Sequence, residues 1–166
     1  MSHVVRLHDV VAWGCDTHVH VIGDTTQYPM VLDRHYTPGP ASTAELQKHL
    51  TGQALGRVVI VQPSVYGTNN QCLLDALSAL GPNARGIAVL DENITASALQ
   101  DMDARGIRGV RLNFESSANH EIHHLQAALN HWAPRIASLG WHIQVYAPFE
   151  MIAACALTIK ALPTPV

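Results

Sequence analysis

Cysteine is scarce in this sequence, and the three present, Cys15, Cys72 and Cys155, are far apart, odd in number and without CxxC spacing. Neither a disulfide framework nor a cysteine zinc site follows from such a set, which reads most simply as small buried residues. Charge is thin as well. Only 14% of residues are charged, the formal net charge is −3 and no basic cluster breaks that balance, so neither nucleic acid nor a membrane surface is an expected partner. No apolar run approaches the roughly 20 residues of a membrane span, and Met1-Ser2-His3-Val4-Val5-Arg6 lacks the apolar core of a signal peptide. The expectation is a cytoplasmic protein that meets a small molecule. A glycine-rich phosphate loop is also missing after the first predicted strand, where a dinucleotide-binding sheet would carry one.

What is there begins at Cys15-Asp16-Thr17-His18-Val19-His20-Val21-Ile22. Residues two apart in a β-branched run project from one face of a strand, so His18 and His20 lie side by side, with Asp16 expected on the same face. Two such imidazoles can ligate one metal ion, can polarise a carbonyl and steady the charge that develops on it, or can simply be half-buried strand residues. The run gives way at once to Gly23-Asp24-Thr25-Thr26, a loop in which a cleft could form.

Along the chain, short β-branched runs alternate with helical segments. A long loop through Tyr28-Pro29 and Tyr36-Thr37-Pro38-Gly39-Pro40 is irregular by its prolines and glycine. Ser42-Thr43-Ala44-Glu45 reads as a capping box, opening a helix with Leu46, Leu50 and Leu55 at helical spacing. Strands are predicted at 57–62, 85–90, 107–114 and 141–146, with helices at 69–80, 95–104 and 149–162 between or after them. The periodicity of 120–139 is interrupted at Pro134, which predicts one helix followed by a second. The run 57–62 is apolar on both faces, as in a parallel sheet covered by helices. Five β/α units with crossover helices call for such a sheet with right-handed connections. Nearly half the residues are hydrophobic and no linker divides them, so residues 1–166 are expected to form a single domain. A doubly wound sheet would be complete at five strands, whereas a (β/α)8 TIM barrel typically needs about 250 residues. Polar residues nevertheless fall at the C-terminal end of strand after strand: His18 and His20, Gln62 and Ser64, Asp91, Arg111 and Asn113, Gln144 and Tyr146. Convergence on one mouth is how a barrel makes a site.

Six segments in order carry a resemblance: Asp16-Thr17-His18-Val19-His20, Tyr36-Thr37-Pro38, Gln62-Pro63-Ser64-Val65-Tyr66-Gly67 with Asn69-Asn70, Arg85-Gly86-Ile87-Ala88, Gly106 to Asn113, and Leu139-Gly140-Trp141-His142. Together they resemble the amidohydrolase superfamily, and within it the 2-pyrone-4,6-dicarboxylate lactonase-like branch. The resemblance implies a (β/α)8 barrel that hydrolyses small ring lactones and related carbonyl compounds in the breakdown of aromatic acids. It also implies a further histidine on the sixth strand and an aspartate on the eighth that serves as base for water. The sequence reaches Val166 where that sixth strand would begin. The fold class expected is therefore α/β, a partial (β/α)8 barrel of about five units, truncated before its sixth strand and incomplete at its C-terminus.

By the same resemblance His18 and His20 match the paired histidines that polarise the scissile carbonyl and, in metal-dependent relatives, hold a divalent ion. The cofactor expectation is either none or one divalent metal such as zinc, which two histidines without a third protein ligand would hold weakly. Tyr36, Ser64, Arg111 and Tyr146 match positions that contact the substrate's carbonyl and carboxylate groups, and a guanidinium at a small barrel mouth suits an anion. Where the dicarboxylate lactonase places a second arginine, this sequence has Glu115-Ser116-Ser117-Ala118-Asn119, which argues against strict dicarboxylate specificity. His120, His123, His124 and His131 are expected on an outward helix as a solvated face, and His142 as a hydrogen-bonded core residue. An open five-stranded sheet would expose apolar surface, with Ile143, Val145, Ile152, Ala156 and Ile159 as candidates. The expected partners are therefore a small-molecule substrate and, for that surface, either another copy or a missing C-terminal half. The alternative to an active hydrolase is a non-catalytic remnant, or a half-barrel that needs that partner.

Overall fold

The computed structural model describes residues 14–115 and 121–166. The expectations for the N-terminal hexapeptide, for Ser116 to Asn119 and for His120 lie outside the described residues. Five strands, β1 (Cys15–Val19), β2 (Arg57–Val61), β3 (Ala84–Ala88), β4 (Ile107–Asn113) and β5 (His142–Tyr146), form one parallel sheet in the order β1-β2-β3-β4-β5. Each strand therefore adds to its predecessor, as in one side of a barrel. A doubly wound sheet would reverse its strand order part-way. This half-barrel is the expected fold class.

The helices follow their local chemistry. Helix α1 (Thr43–Gly52) opens with the capping box: the Ser42 hydroxyl accepts from Glu45 N–H, and the Glu45 carboxylate accepts from Ser42 N–H at 2.8 Å. Helix α2 (Gln71–Leu80) buries Cys72, Leu73, Leu74, Ala76 and Leu77, and α3 (Ala96–Ala104) is capped by Thr95. Helix α4 (Ile122–Ile136) buries Leu125, Leu129, Trp132, Ala133 and Ile136 along one stripe. Full burial of each large aliphatic side chain there contributes about 1.5–3 kcal/mol.

Pro134 does not break this helix, contrary to the sequence expectation. It sits in the last turn, where the carbonyl it cannot bond belongs to Asn130 on the exposed face, open to water. The segment 149–162, expected as one helix, is instead α5 (Phe149–Ala154) and α6 (Ala156–Ala161), joined at Cys155. The bend accompanies full burial of Cys155 and near-full burial of Met151.

Ile143, proposed from sequence as exposed, is fully buried, and the large apolar side chains on the surface here are Phe149 and Leu157. Helix α4 already covers the face of β5 that carries Ile143. Ile143 pairs in register with Val110, on the face opposite Arg111 and Gln144. The free edge of β5 is partly covered: Pro165 carbonyl accepts from Ile143 N–H at 2.8 Å, and the buried Thr164 hydroxyl donates to Ala133 carbonyl.

Candidate active site at the C-terminal rim

The register of β4 on β5 builds one wall of the site. Gly109, Arg111 and Asn113 lie opposite His142, Gln144 and Tyr146, so the polar residues of the two strands share a face. Gly109 is required for this approach, because a Cβ there would lie 2.8 Å from the His142 carbonyl and 2.9 Å from its ring. His142 is thus a packing residue against Gly109. No hydrogen bond to its ring occurs among the described residues, which corrects the hydrogen-bonded role expected for it.

On the opposite wall β1 carries His18, and His20 follows directly after its last residue. The pairing of β1 with β2 shifts between Asp16 and Val19, so an extra residue is accommodated there. The bulge breaks strict alternation. Asp16, expected beside the histidines, accepts instead from His18 N–H and lies 3.9 Å from His49 Nε2, and it does not line the cavity. The imidazoles of His18 and His20 themselves stay together, edge to face, with centroids 5.2 Å apart.

The loop after β1 is tied down at three points. Ile22 and Ala41 exchange backbone hydrogen bonds, Val31 N–H reaches Val65 carbonyl, and the Tyr28 hydroxyl donates to Asp75 at 2.9 Å. Burial and the Asp75 carboxylate push the Tyr28 phenol up to about 12, so it stays a donor. Across from this loop, Gln62 Nε2 donates to Gly67 and Asn69 carbonyls, and Asn70 bridges to Val89, fixing the segment that carries Ser64.

These elements enclose a cavity of about 630 Å³ lined by His18, His20, Tyr36, Ser64, Arg111, Asn113, Gln144, Val145 and Tyr146. All six residues singled out from sequence meet there. Arg111 is the hub. It is only 8% exposed, yet its Nη1 donates to Gln144 Oε1 at 3.1 Å and, at a long 3.4 Å, to His18 Nε2. Its guanidinium carbon lies 5.4 Å from the Tyr146 ring centroid, and its buried Nε has no hydrogen-bond partner. Burial draws its pKa down from the ordinary arginine value, opposed by Tyr146 and Tyr36, and a guanidinium remains a cation in such a place. Gln144 was legible only as a strand-end polar residue; its register opposite Arg111 is what gives it a task.

Both imidazoles are held below their usual pKa. For His18 the causes are burial, then His20, then Arg111, against Asp16. For His20 they are burial and then Arg111, against its bond to the Val61 carbonyl. His20 Nδ1 donates to that carbonyl at 2.7 Å, which leaves Nε2 as the open lone pair of the neutral ring. His18 Nε2 faces the Arg111 N–H and is an acceptor, which leaves its Nδ1 as the donor.

This pattern does not fit a tightly held divalent ion. The lone pair His18 would offer is directed at a guanidinium, that cation would repel another, and among the described residues no group of three metal-ligating side chains forms. The helix histidines do not supply one. His123 is exposed beside Glu121, His131 receives an Arg135 N–H at 2.7 Å, and His124 is half-buried. No helix among the described residues is long and apolar enough to cross a membrane.

A family model described as Amidohydrolase matches residues 15–163. The chain belongs to the amidohydrolase family. This amidohydrolase chain is 35% identical over 162 residues to the 2-pyrone-4,6-dicarboxylate hydrolase of Comamonas testosteroni, covering 93% of the chain and 50% of the relative. It is 29% identical to a 4-sulfomuconolactone hydrolase of Hydrogenophaga intermedia, with coverage of 98% and 54%. Among solved structures it superposes, with TM-score 0.78 and 31% identity, on a "probable 2-pyrone-4,6-dicarboxylic acid hydrolase" of Acinetobacter baumannii with citric acid bound, covering 89% of this chain and 54% of that one. An Agrobacterium tumefaciens protein at 16% identity and TM-score 0.76 shares the fold. The amidohydrolase chain spans about half the length of the relatives it matches.

Proposed function

We propose that this chain supplies the carbonyl-polarising and anion-binding side of a hydrolase that opens a small anionic lactone or related carbonyl compound, in the degradation of aromatic or cyclic acids. The observation that carries the reading is the cavity in which two neutral histidines face a buried guanidinium with an unpartnered nitrogen. Relatives named as hydrolases of 2-pyrone-4,6-dicarboxylate and 4-sulfomuconolactone, both anionic rings, support the substrate class.

In this reading Arg111, with Tyr36, Ser64 and Tyr146, holds the substrate's carboxylate and carbonyl groups. His18 acts on the scissile carbonyl through its free N–H, and His20, neutral with an open lone pair on Nε2, takes a proton from the attacking water. Water adds to the carbonyl carbon as His20 Nε2 takes its proton, the oxyanion is held by the His18 N–H, and the ring C–O bond then breaks as that proton passes to the departing ring oxygen, releasing an open-chain acid.

A second reading is favoured by a specific observation: among the described residues no carboxylate lines the cavity of His18, His20 and Arg111, so the carboxylate base that the resemblance implies is not among them. In that reading the half-barrel binds but does not turn over until a C-terminal partner brings the base. The test is calorimetry and ring absorbance with 2-pyrone-4,6-dicarboxylate and 4-sulfomuconolactone. Binding without turnover by this chain is expected, with hydrolysis appearing when the C-terminal half of a relative is added. Failure to bind either compound would refute the proposal, and robust turnover by homogeneous chain alone would remove the second reading.

A further inference from the structure

Gln144 stands in the middle of β5, in register opposite Arg111, and its half-buried side chain lines the cavity. Its Oε1 accepts from Arg111 Nη1 at 3.1 Å. That bond fixes the amide, because a guanidinium has no lone pair to offer and only the carbonyl oxygen can face it. The amide nitrogen is thereby turned away from Arg111, and among the described residues it meets no acceptor. The other Nη1 hydrogen goes to His18 Nε2, at 3.4 Å. Both Nη1 hydrogens are thus taken by neutral atoms. Nε and Nη2, the pair with which a guanidinium meets a carboxylate side-on, have no acceptor among the described residues.

A glutamate at this position would have the same reach and would grip a buried cation more firmly. Elsewhere the chain makes that choice: the Asp103 carboxylate lies 2.9 Å from Arg108 Nη1. An arginine paired with a carboxylate has its charge met before any ligand arrives, whereas one held by an amide keeps it. We propose that Gln144 sets the specificity of this cavity for an anion: it holds Arg111 through a neutral acceptor, so the charge stays available to the ligand, and its amide N–H₂ donates to an oxygen of that ligand. A guanidinium fixed in advance needs little further ordering when the anion binds. The proposal rests on the reading of Arg111 as an anion contact and adds to it the residue that keeps the contact open.

The test compares benzoate with uncharged benzamide by calorimetry, so that the ring is constant and the ratio of affinities reads the preference for an anion. The wild-type chain is expected to favour benzoate by about tenfold or more, the scale of a charge-assisted pair. Q144E keeps the shape and the acceptor but meets the charge of Arg111 from within, and should bring the ratio to unity or below while unfolding at the wild-type denaturant concentration or above. Q144L removes acceptor and donor and leaves the charge. It should weaken both probes about three- to tenfold and keep the preference. A residue with only a packing task would give the opposite order, since glutamate is the closer replacement in shape. An anion preference unchanged in Q144E, or both probes unchanged in Q144L, with benzoate lost in R111A, would overturn the role of Gln144 and leave the Arg111 reading standing. If Q144E does not fold, Q144L decides by the same criterion. Indifference of benzoate to R111A, or no binding of either probe, would overturn the Arg111 reading and this proposal with it.

Discussion

The two rims of the half-barrel both gather arginines, and they use them in opposite ways. At the N-terminal rim Arg85, Arg105 and Arg108 border a hollow of about 440 Å³. Each is occupied there. Arg85 Nη1 donates to the carbonyls of Pro82 and Ala84 at 2.7 Å, and Arg105 lies 3.9 Å from Asp75. Arg108 Nη1 donates to the Asp103 carbonyl and, at 2.9 Å, to its carboxylate, which also accepts from the buried Trp141 indole at 2.7 Å. At the C-terminal rim Arg111 meets only neutral acceptors and keeps its Nε open. An arginine cluster is therefore no guide to a ligand; what matters is whether the protein has already supplied the anion or the carbonyls.

That contrast gives its largest expected effect in binding. R111A should weaken a small carboxylate by about 10- to 100-fold, the scale of hydrogen bonds to a charged group, while R85A should change it less than about twofold. Calorimetry on the two variants checks this. Comparable losses would erase the distinction between the rims.

Stability should show the reverse. D103A leaves the indole N–H of fully buried Trp141 without a partner and frees Arg108, and should cost about 1–3 kcal/mol in denaturant unfolding without altering ligand affinity. R111M instead replaces a buried, partly unpartnered cation with an apolar side chain of similar length. It should hold stability or raise it by about 1 kcal/mol while binding is lost.

The smallest effects concern the histidines. In the folded chain His18 and His20 lie below the unfolded value of about 6.5. The unfolded chain therefore binds more protons as pH falls, and stability is full above about pH 6.5 and declines below it until the folded-state values are passed. Unfolding followed across that window should show the loss. The H18A/H20A double variant should flatten it. R111A should raise the pKa of both imidazoles, since the cation is one cause of their depression, and proton titration followed by NMR reads the change.

The sequence made the strand order and the site more legible than the details of either. Polar residues recurring at strand ends gave away the barrel mouth, because alternation and parallel pairing leave such positions no other place to gather. His18, His20 and Arg111 were identifiable for that reason. Asp16 was misplaced because a bulge is a local change of register that the pattern of residue types does not announce. Pro134 was misread because the cost of a helical proline depends on whether its orphaned carbonyl is exposed. Ile143 was expected to be exposed for want of the units beyond β5, but the helices of this chain already cover its face of the sheet, opposite Gln144 and Tyr146.

The central claim is that the C-terminal rim, through Arg111 and the paired histidines, is where this chain meets a small anion. Titrating the labelled chain with benzoate and mapping chemical-shift changes tests it most directly. The account predicts changes at the His18 and His20 rings and at Tyr146 that vanish in R111A, with Arg85 and Arg108 unmoved. Changes centred on Arg85, Arg105 and Arg108, or a C-terminal rim pattern that survives R111A, would contradict it.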